Sequence, residues 1–104
     1  MKRLSKPIKA LIPLIQRYFR NQPVLKAWLF GSCSRGEENQ MSDVDLLLDY
    51  DHSNGLVSLF KIGGMSEDLS EILGRKVDMV DVRGLATYAK ENVEQDKILI
   101  YERN

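Results

Sequence analysis

Two carboxylates two residues apart, Asp43 and Asp45, open a hydrophobic run from Val44 to Tyr50, and the pair Gly31-Ser32, separated from Asp43 by ten residues, closes another run, Val24 to Phe30. In an extended strand, side chains at i and i+2 share a face. Asp43 and Asp45 then stand about 6 to 7 Å apart along the strand, while Val44, Leu46 and Leu48 point the other way, toward a core. Two carboxylates on one face repel unless a cation lies between them, and hard oxygen donors favour Mg²⁺. A glycine directly after a strand lets backbone approach a ligand with no Cβ in the way. A helix starting at Ser32 would aim its N–H groups and positive dipole end at the same space, which suits a phosphate, with one further hydrogen bond from the Ser32 hydroxyl. Alone, Gly-Ser serves any turn, and an isolated Asp-x-Asp more often caps a strand. Joined by a short loop that returns to one end of a sheet, they point to a triphosphate bound with divalent metal, and so to nucleotidyl transfer.

A third carboxylate would complete such a site. The segment Lys76-Val77-Asp78-Met79-Val80-Asp81 offers two. Asp78 is interior to the run and flanked by apolar residues, where an uncompensated carboxylate is costly. Asp81, nearer the end, reads as a solvated or turn residue. Asp78 is therefore the expected third acid, either accepting a proton from an attacking hydroxyl or holding a second metal ion. Cys33 has no histidine placed to activate it and reads as a small packing residue. His52, between Asp51 and Ser53, reads as a surface histidine of a loop rather than a ligand.

The elements that must position these groups follow from periodicity. Leu4, Ile8, Leu11, Ile12, Ile15, Tyr18 and Phe19 lie at helical spacing, with Ser5 as N-cap and Pro7 acceptable in the first turn. Pro13 falls inside the pattern and predicts a kink or a late start. Val24 to Phe30 is a first strand, Ser32 to about Met41 a turn and short helix, and Val44 to Tyr50 a second strand. Leu56, Leu59, Phe60 and Ile62 are again helical, but Gly63-Gly64 costs about 1 kcal/mol per glycine and predicts a break with a fresh start at Ser66, ending at Gly74. Lys76 to Val82 is a third strand, Leu85 to about Asp96 a last helix, and Ile98 to Tyr101 a short fourth strand. Strands alternating with helices argue α/β or α+β with a small mixed sheet, as one domain over residues 1–104. Phe60, Tyr88 and Tyr101 would serve an interface but, at their spacing, read as core; Tyr18 and Phe19 read the same way.

Bulk properties narrow the classes. Hydrophobic residues at 43% and charged ones at 29% suit an ordinary globular domain. Fifteen basic residues balance fifteen acidic ones, so there is no global electrostatic footprint for nucleic acid. Lys2, Arg3, Lys6 and Lys9 make the N-terminus locally basic, which a solvated helix face explains. A single cysteine excludes an internal disulfide framework and fits a reducing cytoplasm. No apolar run approaches the roughly 18 to 20 residues of a membrane span, and no signal-type core follows the charged start.

With these residues in place, the chain resembles the minimal nucleotidyltransferases of the DNA polymerase beta superfamily. The pattern Gly-Ser, ten residues, Asp-x-Asp is carried by Gly31, Ser32, Asp43 and Asp45. Arg35-Gly36, Ser42 and the stretch Leu73-Gly74-Arg75-Lys76-Val77-Asp78-Met79-Val80 also look like that family, and the likeness runs from about Val24 to Val82, with Ile98 to Glu102 also typical. The resemblance implies a small mixed β-sheet flanked by helices, a palm-like nucleotidyltransferase fold, and transfer of a nucleoside monophosphate from ATP or another NTP to a hydroxyl. It implies that Gly31 and Ser32 hold the β,γ-phosphates with help from Arg35. Asp43 and Asp45 would bind one or two Mg²⁺ ions, with Asp78 as third acid and ligand. Bacterial members of this size are often antitoxins paired with a HEPN-domain protein, and active ones adenylylate a tyrosine of that partner. Two positions depart from the pattern: Cys33, where the family usually has alanine or serine, and Gly63-Gly64, where its helix normally runs through.

Larger transferases of this kind use extra domains to grip base and acceptor, and 104 residues leave no room for one. The expected acceptor is therefore a protein that supplies its own contacts, or a second copy in a homo-oligomer. Transfer to a small-molecule hydroxyl is the alternative within enzymes. A contact-only antitoxin or binding module is the alternative outside them, and clustered aspartates weigh against it.

Overall fold

The computed structural model describes residues 4–39, 42–84 and 93–103. Its first element, α1 (Lys6–Phe19), is capped by Ser5, whose Oγ accepts the Ile8 N–H at 3.3 Å, with Pro7 in the first turn. Ile8, Ile15 and Phe19 form its fully buried stripe. The late start expected from Pro13 does not occur. Pro13 sits on the exposed side, so the carbonyl it leaves without a partner faces solvent, and the buried residues on either side hold the helix together.

Four strands follow: β1 (Val24–Phe30), β2 (Val44–Tyr50), β3 (Val77–Asp81) and β4 (Ile98–Glu102), in the spatial order β3-β2-β1-β4. β1 is antiparallel to both β2 and β4, whereas β2 and β3 are parallel. The sheet is thus mixed, as alternation of strands and helices led us to expect. Between β1 and β2 lies a single helical turn, α2 (Ser32–Arg35). Between β2 and β3 lies α3 (Leu59–Leu73), the crossover that a parallel pair requires. Ala27, Leu29, Leu46, Leu48 and Val77 from the sheet join Phe19 of α1 and Leu69 of α3 in one buried cluster, so both helices cover one face. The register sets Val80, Leu47, Trp28 and Leu99 side by side across the other face, which also carries Asp45.

The break expected at Gly63-Gly64 is absent: α3 is one helix that starts after Ser58, whose Oγ accepts the Lys61 N–H, and ends at Gly74 with φ 67°. Burial of Met65, Leu69 and Leu73 outweighs the backbone entropy of two glycines. The earlier start also corrects the reading of Phe60 as core. It lies outside the buried stripe and is 94% exposed, beside exposed Leu56 and Leu59. Tyr101 and Phe19 are core, and the Tyr101 hydroxyl donates to the Phe19 carbonyl. Tyr18 is half-buried, its hydroxyl donating to Asp68 of α3 at 2.6 Å. The last helix expected from Leu85 lies mostly outside the described residues, as does Tyr88; residues 93–96 are helical.

A Cβ at Gly63 or Gly64 would meet nothing within 4 Å. Gly63→Ala and Gly64→Ala should each stabilise the fold by about 0.5–1 kcal/mol in urea unfolding. Destabilisation by either would contradict a continuous helix at this point.

Candidate active site

The site is built where β1 ends and β2 and β3 begin. In the parallel register Val44 lies beside Val77 and Asp45 beside Asp78, so the carboxylates of neighbouring strands are adjacent on one face. Phe30, the last residue of β1, faces Asp45 from the other side. Asp43 precedes β2, and Val44 N–H donates to the Lys76 carbonyl at 2.9 Å, which holds the chain at Asp43 against the entry to β3. Asp43, Asp45 and Asp78, expected together from the sequence, are therefore gathered at one end of the sheet. Asp81 instead accepts the Arg83 N–H through Oδ1 and acts as a turn residue.

Gly31 closes the site from β1. Its backbone has φ 73° and ψ −157°, a conformation that strains any residue with a side chain. A Cβ there would stand 3.3 Å from Asp45 Cγ and collide with Oδ2, so the backbone of the turn lies directly against this carboxylate. Two neighbours pin the turn. Buried Ser34 donates its hydroxyl to the Gly31 carbonyl at 2.8 Å, and Cys33 Sγ donates to the Asp43 carbonyl at 3.3 Å. Cys33 is fully buried and burial raises its thiol pKa, in accord with a packing residue that also ties the Gly-Ser turn to the aspartate loop. Ser34 escaped the sequence reading, although a serine three residues after a strained glycine is a known way to pin a turn. The α2 turn has only four residues, too short to supply the sizeable helix dipole that a phosphate-binding helix start would bring.

Arg35, expected near a triphosphate, is held sideways. Its Nε donates to Glu37 at 2.8 Å and its Nη1 to Asp96 at 2.7 Å, although its charge still lowers the Asp45 pKa. His52 shapes the loop after β2, its Nδ1 accepting the Val57 N–H.

Electrostatics point to a cation. Asp45 has its pKa raised, first by desolvation and then by repulsion from Asp78 and Asp43, with Arg35 and Lys76 acting in the opposite sense. Lys76 Nζ stands 4.0 Å from Asp43 Oδ2 and 3.9 Å from Asp78 Oδ1, so a positive group is already drawn between them. Sequence reasoning missed this lysine, although it lies two residues before Asp78. Among the described residues no three His, Cys, Asp or Glu side chains form a ready-made metal cage. The donor set and its repulsion fit Mg²⁺, which typically takes one or two protein carboxylates and completes its shell with substrate phosphates and water.

Comparison with known proteins bears on family and fold. The family described as polymerase beta, nucleotidyltransferase, matches residues 14–104. A Methanocaldococcus jannaschii protein described as a candidate protein adenylyltransferase is 32% identical over 102 residues, covering 96% of this chain and all of the relative. Among solved structures, a toxin–antitoxin crystallised with AMP-PNP superposes with TM-score 0.75 at 21% identity, over 89% of this chain and 74% of that one. A tri-AMPylated Shewanella oneidensis HEPN toxin in complex with MNT antitoxin gives TM-score 0.69 at 18% identity, over 92% and 73%. These two structural likenesses establish the fold.

Because the folded protein raises the Asp45 pKa above its ordinary 3.8, the native state binds this proton more tightly than the unfolded chain. Ionised Asp45 therefore opposes folding at neutral pH, and this cost disappears below the unfolded pKa. In EDTA, Asp45→Asn should melt higher than the parent at pH 7, with the difference shrinking as pH falls toward 4. A lower melting temperature at pH 7 would contradict the crowding of these carboxylates.

Proposed function

The chain belongs to the polymerase beta nucleotidyltransferase family, and from that premise we propose that it is a Mg²⁺-dependent enzyme moving AMP from ATP onto a hydroxyl of a partner protein. The partner we propose is a HEPN-domain toxin, which this chain restrains as antitoxin. The observation that carries the catalytic part is the Asp45–Asp78 alignment beside the Gly31 turn, because an acceptor and a triphosphate need acidic ligands and a close backbone at one point. The target rests on the relatives: one is described as a candidate protein adenylyltransferase, and a neighbour of the same fold is an MNT antitoxin bound to an AMPylated HEPN toxin.

In this reading Gly31 and Ser32 receive the β,γ-phosphates, the Gly31 backbone approaching where any Cβ would collide with Asp45. Asp43 and Asp45 would hold Mg²⁺, joined by Asp78 for a second ion. Bound there, Mg²⁺ neutralises the phosphate oxygens and the charge developing on the leaving group. Where it does not hold a second ion, Asp78, beside Asp45 and half exposed, takes the acceptor's hydroxyl proton as the new O–P bond forms at the α-phosphorus. The bond from that phosphorus to the bridging oxygen breaks, and pyrophosphate leaves. Arg35 exchanges its Glu37 and Asp96 partners for phosphate oxygens, the same charge-assisted bonding to a richer anion. We place the protein in the cytoplasm; no helix among the described residues is long and apolar enough to cross a membrane.

Incubating the purified chain with α-labelled ATP, Mg²⁺ and extract of its own host should label a protein band. Asp43→Asn/Asp45→Asn should reduce that label by about 10²-fold or more. An unlabelled partner that still co-purifies with both forms would instead support an antitoxin acting by contact alone.

A further inference from the structure

Lys76 is largely exposed, and its ammonium lies within 4.0 Å of two carboxylates. Its backbone is fixed by the bond from Val44 N–H to its carbonyl, opposite Asp43 and two residues before Asp78. From there the side chain turns between the two carboxylates, at 4.0 Å from one and 3.9 Å from the other. Neither distance is a tight hydrogen bond. The ammonium bridges a cluster of like charges rather than pairing with one member of it, and its charge also reaches Asp45. Among the described residues, two further cations near the site are engaged elsewhere: Arg35 with Glu37 and Asp96, and Arg75 with the Asn39 carbonyl at 3.1 Å.

We propose that Lys76 is the resident counter-ion of the carboxylate cluster, occupying the space between Asp43 and Asp78 until a divalent ion displaces it. This rests on the reading of Asp43, Asp45 and Asp78 as metal ligands. Two positive charges cannot share that space, so the ion enters only by expelling the ammonium, and the four-carbon stem lets it swing outward without moving the backbone. The lysine thereby holds three acidic groups together in the empty site and sets a threshold for metal entry. Metal arriving with a triphosphate passes that threshold more easily, because the displaced ammonium gains phosphate oxygens as new partners.

The test is Mn²⁺ binding to the nucleotide-free protein, read from the electron paramagnetic resonance signal of free Mn²⁺ at low ionic strength. Lys76→Met keeps the stem and removes the charge; it should bind Mn²⁺ about three- to tenfold more tightly than the parent. Lys76→Arg should bind like the parent, and the gain should shrink at high salt. In EDTA, Lys76→Met should melt below the parent, with the gap closing at saturating Mn²⁺. Equal or weaker Mn²⁺ binding by Lys76→Met, with binding still lost in Asp43→Asn/Asp45→Asn, would overturn the role of Lys76 and leave the metal site standing. Binding that is indifferent to the two aspartates would overturn both.

Discussion

Everything at the site depends on the in-register parallel pairing of β2 with β3, which sets Asp45 beside Asp78. Strand spacing of about 4.8 Å leaves these carboxylates no freedom to separate, so their repulsion is built into the sheet. The fold tolerates it because the opposite faces of the same strands bury Val44, Leu46, Leu48 and Val77 in the main core. Apolar burial on one side thus holds together, on the other, charges that would otherwise part. Burial first, and repulsion from Asp78 and Asp43 after it, raise the Asp45 pKa, and a divalent cation is the natural means of relieving both.

The Gly31 turn adds a steric condition to the electrostatic one. Its backbone touches the Asp45 carboxylate so closely that no side chain is admissible, and its positive φ excludes most residues independently. Ser34 and Cys33 then fasten the turn to itself and to the chain at Asp43. In the proposed function, substrate phosphates and acidic ligands thereby meet at one corner of the sheet, which favours chemistry governed by positioning. Arg35, by contrast, is anchored by Glu37 and Asp96 and must exchange these partners in the proposed cycle.

Much of this was legible in the residues. Alternation located β1 and β2 to the residue, because each is a run bounded by turn formers with its core face apolar. Asp78 was separable from Asp81 because a carboxylate amid apolar residues demands a partner, whereas one at a strand end finds a backbone N–H, as Asp81 does with Arg83. Where reading failed, local propensity had been weighed without tertiary context. Pro13 was expected to kink α1 or delay its start, and Gly63-Gly64 to break α3; yet α1 starts at Lys6, and packing of Met65 and Leu69 carries α3 through its glycines. Phe60 was expected inside from its helical spacing with Leu56, Leu59 and Ile62, but the buried stripe of α3 runs along Met65, Leu69 and Leu73. The Lys76 bridge was invisible because Asp43 precedes one strand and Lys76 another, and only the register brings them together.

The central claim is that Asp45 and Asp78 act as one acidic site through which metal and triphosphate bind together. Calorimetric titration of ATP into the parent protein and into Asp78→Asn, with Mg²⁺ and with EDTA, tests it most directly. The account predicts ATP binding that requires Mg²⁺ in the parent and is strongly weakened in Asp78→Asn. Equal ATP affinity in EDTA, or an Asp78→Asn variant that binds Mg²⁺ and ATP like the parent, would contradict it.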